Sequence, residues 1–95
     1  MPNVNYVQGR SREYRTMKLL EAAGYECIRA AGSHGTWDVV GVNNSSIVLV
    51  QVKFNHMPTL AEIEKMEEAL APDNAVKLIH LYKKGQHAPE VLVVG

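Results

Sequence analysis

The sequence contains one cysteine, few aromatic side chains, no excess charge of either sign and no long apolar run. The single Cys27 permits no internal disulfide, and its alternating apolar surroundings predict a buried, unreactive thiol. Ten basic and ten acidic side chains cancel, so the chain lacks the positive excess common among nucleic-acid binders. No apolar stretch approaches the roughly 20 residues that cross a membrane, and the first residues do not resemble a secretory signal. We therefore expect a cytoplasmic protein.

The sequence does contain a regular succession of helical and strand patterns within 95 residues. This length and the apolar fraction of 46% predict one domain, residues 1–95, with a small core. The predicted elements, in chain order, are a helix over about 9–23 closed by Gly24, strands over 25–30, 37–43 and 46–54, a helix that begins after Thr59 and ends at Pro72, and strands over 75–82 and 90–94. The order α-β-β-β-α-β-β predicts an α/β fold, with helices flanking a single mixed sheet.

The second helix has both a start signal and an apolar stripe. Thr59 and Glu62 have the spacing of a capping box, in which each residue hydrogen-bonds the backbone of the other. The stripe predicted to face the core consists of Leu60, Ile63, Met66 and Leu70.

A hairpin is predicted around the turn-forming run 43–46, Asn-Asn-Ser-Ser. If Asn43 pairs with Ser46, the same register places Asp38 directly opposite Gln51. Lys53 then shares their face, because strand side chains repeat with period 2. A carboxylate, an amide oxygen and a lysine would converge there, either as a functional site or as the polar rim of a half-exposed sheet.

Glu13 lies on the apolar side of the first predicted helix, together with Met17 and Leu20. A carboxylate in a core-facing stripe is costly unless it is paired or bound to a cation. Two interpretations remain open. Glu13 forms an ion pair with Arg29 or Lys53, or it is a third ligand for the site at Asp38.

Carboxylate and amide oxygens with water form a shell that suits Mg²⁺ or Mn²⁺ rather than zinc, and the four histidines lack the spacing of a zinc site. A dication beside a lysine is suited to phosphodiester hydrolysis. The metal polarises the phosphate and activates water, and the ammonium stabilises developing negative charge.

These residues together resemble a known family. Gly9-Arg-Ser-Arg-Glu13 on the first helix, Ala31-Gly-Ser-His34 in a loop, and Asp38 with Gln51-Val-Lys53 on the hairpin are similar to the PD-(D/E)XK nucleases. The chain most resembles the archaeal-type Holliday junction resolvases. The resemblance implies a restriction-endonuclease-like αβββαβ core. It also implies a homodimeric, Mg²⁺-dependent endonuclease, with Mn²⁺ able to substitute, that cuts four-way DNA junctions and leaves 5′-phosphates.

The same resemblance implies roles for individual residues. The metal ligands would be Asp38, Gln51, the backbone carbonyl of Val52, and the helix-borne Glu13. Lys53 would be the catalytic lysine. Ser33 matches a loop serine that contributes to catalysis, and the implied DNA contacts are Arg10, Arg12, Ser33 and His34. The arginine-rich segment 10–18 that contains two of these residues is equally compatible with a solvated helix face.

One departure from the family pattern keeps the function open. Resolvases of this type carry Glu-Val-Lys where this chain has Gln51-Val52-Lys53. The amide removes a negative charge from the metal shell, so Mg²⁺ affinity should fall. The alternatives are another PD-(D/E)XK endonuclease, as in Mrr-like restriction, repair or phage DNA processing, and a catalytically inactive member that only binds DNA.

Overall fold

A computed structural model describes the backbone of residues 4–30 and 35–95 and the side chains of residues 11–30 and 35–95. Ser33 and His34 lie outside the described residues, and Arg10 lies in the first helix at a position whose side chain is not described. The elements are α1 (Val4–Ala22), β1 (Glu26–Arg29), β2 (Val39–Val42), β3 (Ile47–Phe54), α2 (Leu60–Glu68), β4 (Ala75–Tyr82) and β5 (Glu90–Val94).

The predicted order of elements is confirmed, as are the bounds of β4 and β5. The helix α1 begins at Val4 rather than near Gly9. A glycine inside a helix costs about 1 kcal/mol relative to alanine, which is too little to end a helix by itself. Gly24 follows the helix with a φ of +97°, the left-handed conformation expected at a glycine C-cap.

The five strands form one mixed sheet in the order β1-β2-β3-β4-β5. Neighbouring strands are antiparallel except β3 and β4, which are parallel. A parallel pair needs a crossover connection, and α2 lies in that connection. The α/β fold with a single mixed sheet is therefore as the sequence predicted.

The hairpin register is also confirmed within the two strands. Val42 pairs with Ile47 and Val39 with Val50, and the Asn43 amide donates to the Ser46 carbonyl at 3.1 Å. The side chain of Asn43 holds the turn, because its Oδ1 accepts from the Ser45 and Ser46 amides at 2.8 Å each. This Asx-type turn fixes the register by local hydrogen bonds.

Two apolar clusters pack on the sheet. One joins α1 to β2 and β3 through Leu20, Val39, Val48 and Val50. The other contains Met66 of α2 and Ile79 and Leu81 of β4. Cys27 packs against the first cluster but is only partly buried, so the prediction of a buried thiol is corrected to a half-buried one.

The start of α2 is confirmed, but its apolar stripe is not. The Glu62 amide donates to Thr59 Oγ1 and the Thr59 amide donates to Glu62 Oε1, both at 3.2 Å, which completes the capping box. The helix ends at Glu68, before Pro72, so Leu70 lies beyond it and is 99% exposed. Leu60, in the first turn, is 80% exposed, and Met66 is the residue of the stripe that is fully buried.

Candidate active site

The backbone is irregular at Asp38, the residue directly before β2. The Asp38 amide donates to the Val50 carbonyl on β3 at 2.9 Å, while its own carbonyl accepts from the Ala30 amide on the other side, also at 2.9 Å. In a regular antiparallel strand, both groups of one residue point to the same neighbour. Val50 is already the register partner of Val39, so Asp38 and Val39 together oppose one residue, the geometry of a β-bulge.

The bulge corrects the prediction that Asp38 lies directly opposite Gln51. The Asp38 carboxylate accepts a hydrogen bond from the Val52 amide at 2.8 Å, and the Asp38 backbone is bonded to Val50. Asp38 therefore bonds the residues on either side of Gln51 and does not lie directly opposite it. The sequence could not show this, because the bulge is formed by backbone hydrogen bonds to Ala30 and Val50, whose placement depends on the neighbouring strands.

The Asp38 carboxyl is partly buried, and this burial raises its pKa above the ordinary value of 3.8. The negative charge of Glu13 raises the pKa further, while the hydrogen bond from the Val52 amide and the charge of Lys53 lower it. A carboxylate that is more easily protonated than usual, with a second carboxylate nearby, is held at an electrostatic cost. A bound cation would remove that cost.

Gln51 presents the other polar group of the site. Its Nε2 donates to the Thr36 carbonyl at 3.4 Å. Its Oε1 is buried and has no hydrogen-bond partner among the described residues. An unsatisfied buried acceptor costs about 1–3 kcal/mol, so such atoms commonly mark a place where a ligand, ion or water completes the structure.

Lys53 lies on the face of the sheet toward α2. Its Nζ contacts Glu62 Oε2 at 3.0 Å, with both side chains partly exposed. Sequence reasoning identified Glu62 as a capping residue but missed it as the partner of Lys53. The capping signal is local, whereas this contact depends on how α2 is placed over the end of β3.

Glu13 is engaged by one of the partners that the sequence suggested. Arg29 donates from one guanidinium nitrogen to Glu13 Oε1 at 3.1 Å, and the guanidinium carbon lies 5.1 Å from the ring centroid of Tyr14. This is the ion-pair interpretation of Glu13. The same carboxylate is near enough to Asp38 to affect its pKa, so Glu13 adds negative charge to the site as well.

The oxygen donors at this site suit a hard dication, although the protein supplies little negative charge to it. No group of three or more His, Cys, Asp or Glu side chains suitable for a metal occurs among the described residues. Amide and backbone oxygens supplement the carboxylate here. The candidates are the Asp38 carboxylate, the Val52 carbonyl and the Gln51 Oε1, which lacks a partner within the described part of the chain; all are oxygen donors of the kind that Mg²⁺ and Mn²⁺ accept together with water.

A cavity adjoins Gln51 on the α2 side. Its volume is about 180 Å³, and its lining includes Thr36, Gln51, Glu62 and Lys65. Gln51 thus borders an open space that charged side chains, Glu62 and Lys65, also line.

A second, larger groove of about 570 Å³ begins one residue beyond Lys53. It is lined by Arg12, Arg15, Phe54, Asn55, Tyr82, Lys83, Lys84, Gly85 and Gln86, four of them cationic and none acidic. The Arg12 guanidinium stacks 3.5 Å above the Phe54 ring centroid, which fixes its position. Burial and the neighbouring Arg15 lower the pKa of Arg12, as expected where positive charges are crowded. Arg12 was predicted to contact DNA, whereas the sequence left two interpretations of Lys83 and Lys84, a DNA contact or a solvated turn, and favoured the turn.

The chain matches known proteins at the level of family and fold. The family model of the archaeal Holliday junction resolvase (Hjc) matches residues 4–86. The solved structure of Hjc, a Holliday junction resolvase from the archaeal hyperthermophile Archaeoglobus fulgidus, superimposes with a TM-score of 0.68 at 20% identity, covering 92% of this chain and 71% of that one. No curated protein sequence matches the chain. The chain belongs to the archaeal Holliday junction resolvase family.

Proposed function

We propose that this protein is a Mg²⁺-dependent endonuclease that cuts four-way DNA junctions by phosphodiester hydrolysis. Membership of the resolvase family supplies the coarse activity, a nuclease that acts on DNA junctions. The observation that carries the metal-dependent part is the buried Oε1 of Gln51, which has no hydrogen-bond partner among the described residues, on the strand whose Val52 amide holds the partly buried carboxylate of Asp38. Two oxygen donors of this kind would form part of a coordination shell that a dication completes.

The proposed roles follow the contacts of each residue. Asp38, Gln51 and the Val52 carbonyl would hold the dication, which when bound polarises the scissile phosphate and makes a bound water more acidic. The Asp38 carboxylate is held in place for this purpose by the Val52 amide. The Lys53 ammonium would stabilise the negative charge that develops on the phosphate oxygens. Glu13 would add negative charge from α1, while its ion pair with Arg29 fixes its orientation.

We propose further that the groove beyond Lys53 binds the DNA backbone. Its positive side chains adjoin the end of β3, so a strand lying in the groove would continue toward Lys53. Phosphate contacts position a protein without reading sequence, which suits an enzyme selective for the shape of a junction. Arg10, Ser33 and His34 remain proposed DNA contacts on the strength of the family resemblance.

The groove has a direct test in the salt dependence of binding. Lys84→Ala removes one cation from the groove, so we expect the slope of log K against log salt to decrease by about 0.9 in magnitude, similarly for junctions of different sequence. Fluorescence anisotropy at several salt concentrations measures this slope. Lys18→Ala, at an exposed residue of α1 that lines neither the groove nor the cavity beside Gln51, is the matched control. Equal slopes for the two variants would remove the groove from the DNA interface.

We propose a homodimer as the active form, because a junction presents two opposed strands for cutting. The uncovered apolar residues Val91 and Val93 of β5, 55% and 75% exposed, are the best candidates for the surface between two copies. Light scattering on the purified protein gives the mass in solution, and a monomer at working concentration would contradict the proposal.

Among the described residues, no helix is long and apolar enough to span a membrane.

A second candidate function is a DNA-binding member without catalytic activity. It is favoured by two observations: a neutral glutamine stands at the second ligand position, and Glu13 is already paired with Arg29.

The experiment that decides between these functions is cleavage of a labelled four-way junction beside the matching linear duplex, with Mg²⁺, Mn²⁺ or EDTA. Cleavage of the junction alone, dependent on metal and lost in Asp38→Asn, is the expected result. Cleavage of both substrates would indicate a more general PD-(D/E)XK nuclease. Binding of the junction without cleavage under every condition would establish the inactive member.

A further inference from the structure

The charge of the Lys53 ammonium acts on two carboxylates, one on α2 and one directly before β2. Glu62 of α2 contacts it at 3.0 Å. Asp38, at the bulge of β2, is close enough for the charge of Lys53 to lower its pKa, although no hydrogen bond joins the two side chains. Lys53 therefore has a near partner and a farther one, and only the farther one belongs to the proposed metal site.

Glu62 is unusually well fixed for a partly exposed carboxylate. Its Oε1 accepts from both the backbone amide and the hydroxyl of Thr59 at 3.2 Å, which leaves Oε2 for Lys53. The hydrogen bond from the Thr59 backbone, followed by that from Lys53, lowers the pKa of Glu62, so the carboxylate stays ionised. The capping box thus makes Glu62 an anchored negative charge at the start of α2.

We infer that Glu62 is a positioning residue, which holds the ammonium of Lys53 away from Asp38 and so keeps that carboxylate open to a dication. An ammonium and a dication compete for the same carboxylate. Where the second ligand is a glutamate, the metal site has a further carboxylate to attract the cation. Here Gln51 supplies none, so competition from Lys53 would weaken the site more. This role rests on the proposed function, since it takes Asp38 as a metal ligand.

Crosslinking can identify the carboxylate that contacts Lys53 when no metal is present. A carbodiimide forms an amide bond between an amine and a carboxylate that are in contact, and mass spectrometry identifies the linked pair. In a metal-free buffer that contains no carboxylate or amine, wild-type protein should give a Lys53–Glu62 link. Glu62→Gln should give a Lys53–Asp38 link at least several-fold above the wild-type level. The variant keeps the capping box, because glutamine serves equally at that position. Absence of the Lys53–Asp38 link in the folded variant would overturn the inference.

The consequence for the metal is measured by Mn²⁺ titration calorimetry on four proteins: wild type, Glu62→Gln, Lys53→Gln and the double variant. Glu62→Gln should weaken Mn²⁺ binding roughly three- to fivefold, the range of partly exposed ion pairs. In the Lys53→Gln background the same change should have no effect. A loss that persists there would make Glu62 a direct ligand and overturn the positioning role, as would an unchanged affinity in Glu62→Gln itself. Glu64→Gln, an exposed change on the same helix, is the matched control.

The two measurements separate the inference from the function on which it rests. Lack of Mn²⁺ binding by the wild type would refute the proposed metal site. A switch of the crosslink from Glu62 to Asp38 would still establish that Glu62 holds Lys53. Binding of Mn²⁺ without the switch would refute the positioning role alone.

Discussion

Two sets of buried polar side chains lie on neighbouring strands of this sheet, and their hydrogen bonding differs. Between α1 and β4, the Thr16 hydroxyl bonds both to His80 Nδ1 at 3.1 Å and to the Tyr82 hydroxyl at 2.8 Å. All three residues are buried. At the end of β3, by contrast, Gln51 keeps a buried oxygen with no partner among the described residues, close to a carboxylate whose pKa burial raises.

The difference is the one expected between a structural network and the proposed metal site. Thr16, His80 and Tyr82 satisfy one another, so they specify how α1 docks on the sheet and need nothing from outside. Asp38 and Gln51 carry the cost of burial without full compensation. Their arrangement is explained by a ligand that completes it, and removing their polarity should harm binding rather than folding.

The largest expected effect comes from Asp38→Asn. Asparagine keeps an oxygen that can accept from the Val52 amide but removes the charge needed for a dication. We expect metal-dependent cleavage to fall by more than about 100-fold, since even partners of metal ligands are worth 10- to 100-fold. The folded state should be no less stable, because a charge with a raised pKa has been removed. Cleavage assays measure the loss of activity, and urea unfolding measures the stability. A large loss of stability would place Asp38 among the structural residues.

The converse change is Thr16→Val, which preserves the shape of the side chain. It leaves His80 and Tyr82 without their shared partner, so we expect a loss of about 2–4 kcal/mol in the free energy of unfolding. Metal affinity should stay the same. Thr36→Val is the control, because Thr36 uses its carbonyl rather than its hydroxyl to bond Gln51. If both variants unfolded at the same urea concentration, the buried network would have no special role.

Gln51→Glu tests the unsatisfied region directly. The added charge should tighten Mn²⁺ binding about tenfold, equivalent to 1.4 kcal/mol. In EDTA the same variant should be less stable than the wild type, because a second negative charge is placed beside Asp38. Calorimetry measures the change in Mn²⁺ affinity, and thermal unfolding in EDTA measures the change in stability. Weaker Mn²⁺ binding would mean that residue 51 does not touch the metal.

The smallest effect concerns pH. Burial lowers the pKa of His80 below the ordinary value of 6.5, so in acid the unfolded chain takes up a proton that the folded protein resists. Stability should therefore be unaffected by this residue above pH 6.5. It should fall below that pH with a slope of up to about 1.4 kcal/mol per pH unit. Urea unfolding between pH 7 and pH 5 measures the slope. His80→Asn should flatten it, whereas His87→Asn, at an exposed residue, should leave it unchanged.

The parts of the fold that depend on neighbouring residues in the chain could be predicted from the sequence. The Asn43 turn set the register of the hairpin, and the Thr59 capping box marked the start of α2. The contacts that shape the candidate site could not be predicted, because each depends on the placement of distant elements. The pairing of Lys53 with Glu62 is one such contact, and the choice of Arg29 as the partner of Glu13 is another.

The same distinction applies to the errors. Leu70 fits the helical spacing but lies beyond the end of α2, and its exposure could be known only from where the helix stops. Asp38 was predicted to face Gln51 across a regular hairpin, whereas it bonds Val50 and Val52, the residues on either side of Gln51. Residue type and spacing thus led to the hypothesis about the chemistry, while the orientation of the groups depended on backbone irregularity.

The β-bulge at Asp38 also has a consequence for how this fold can vary. The backbone and carboxylate of Asp38 are held by Ala30, Val50 and Val52, all of which lie in or directly beside the strands on either side. The position of the carboxylate is therefore set by residues that lie in the sheet or directly beside it. Substitutions in other loops of the protein could then alter the DNA substrate while leaving the proposed metal ligand in place. The bulge would allow selectivity and catalysis to evolve separately.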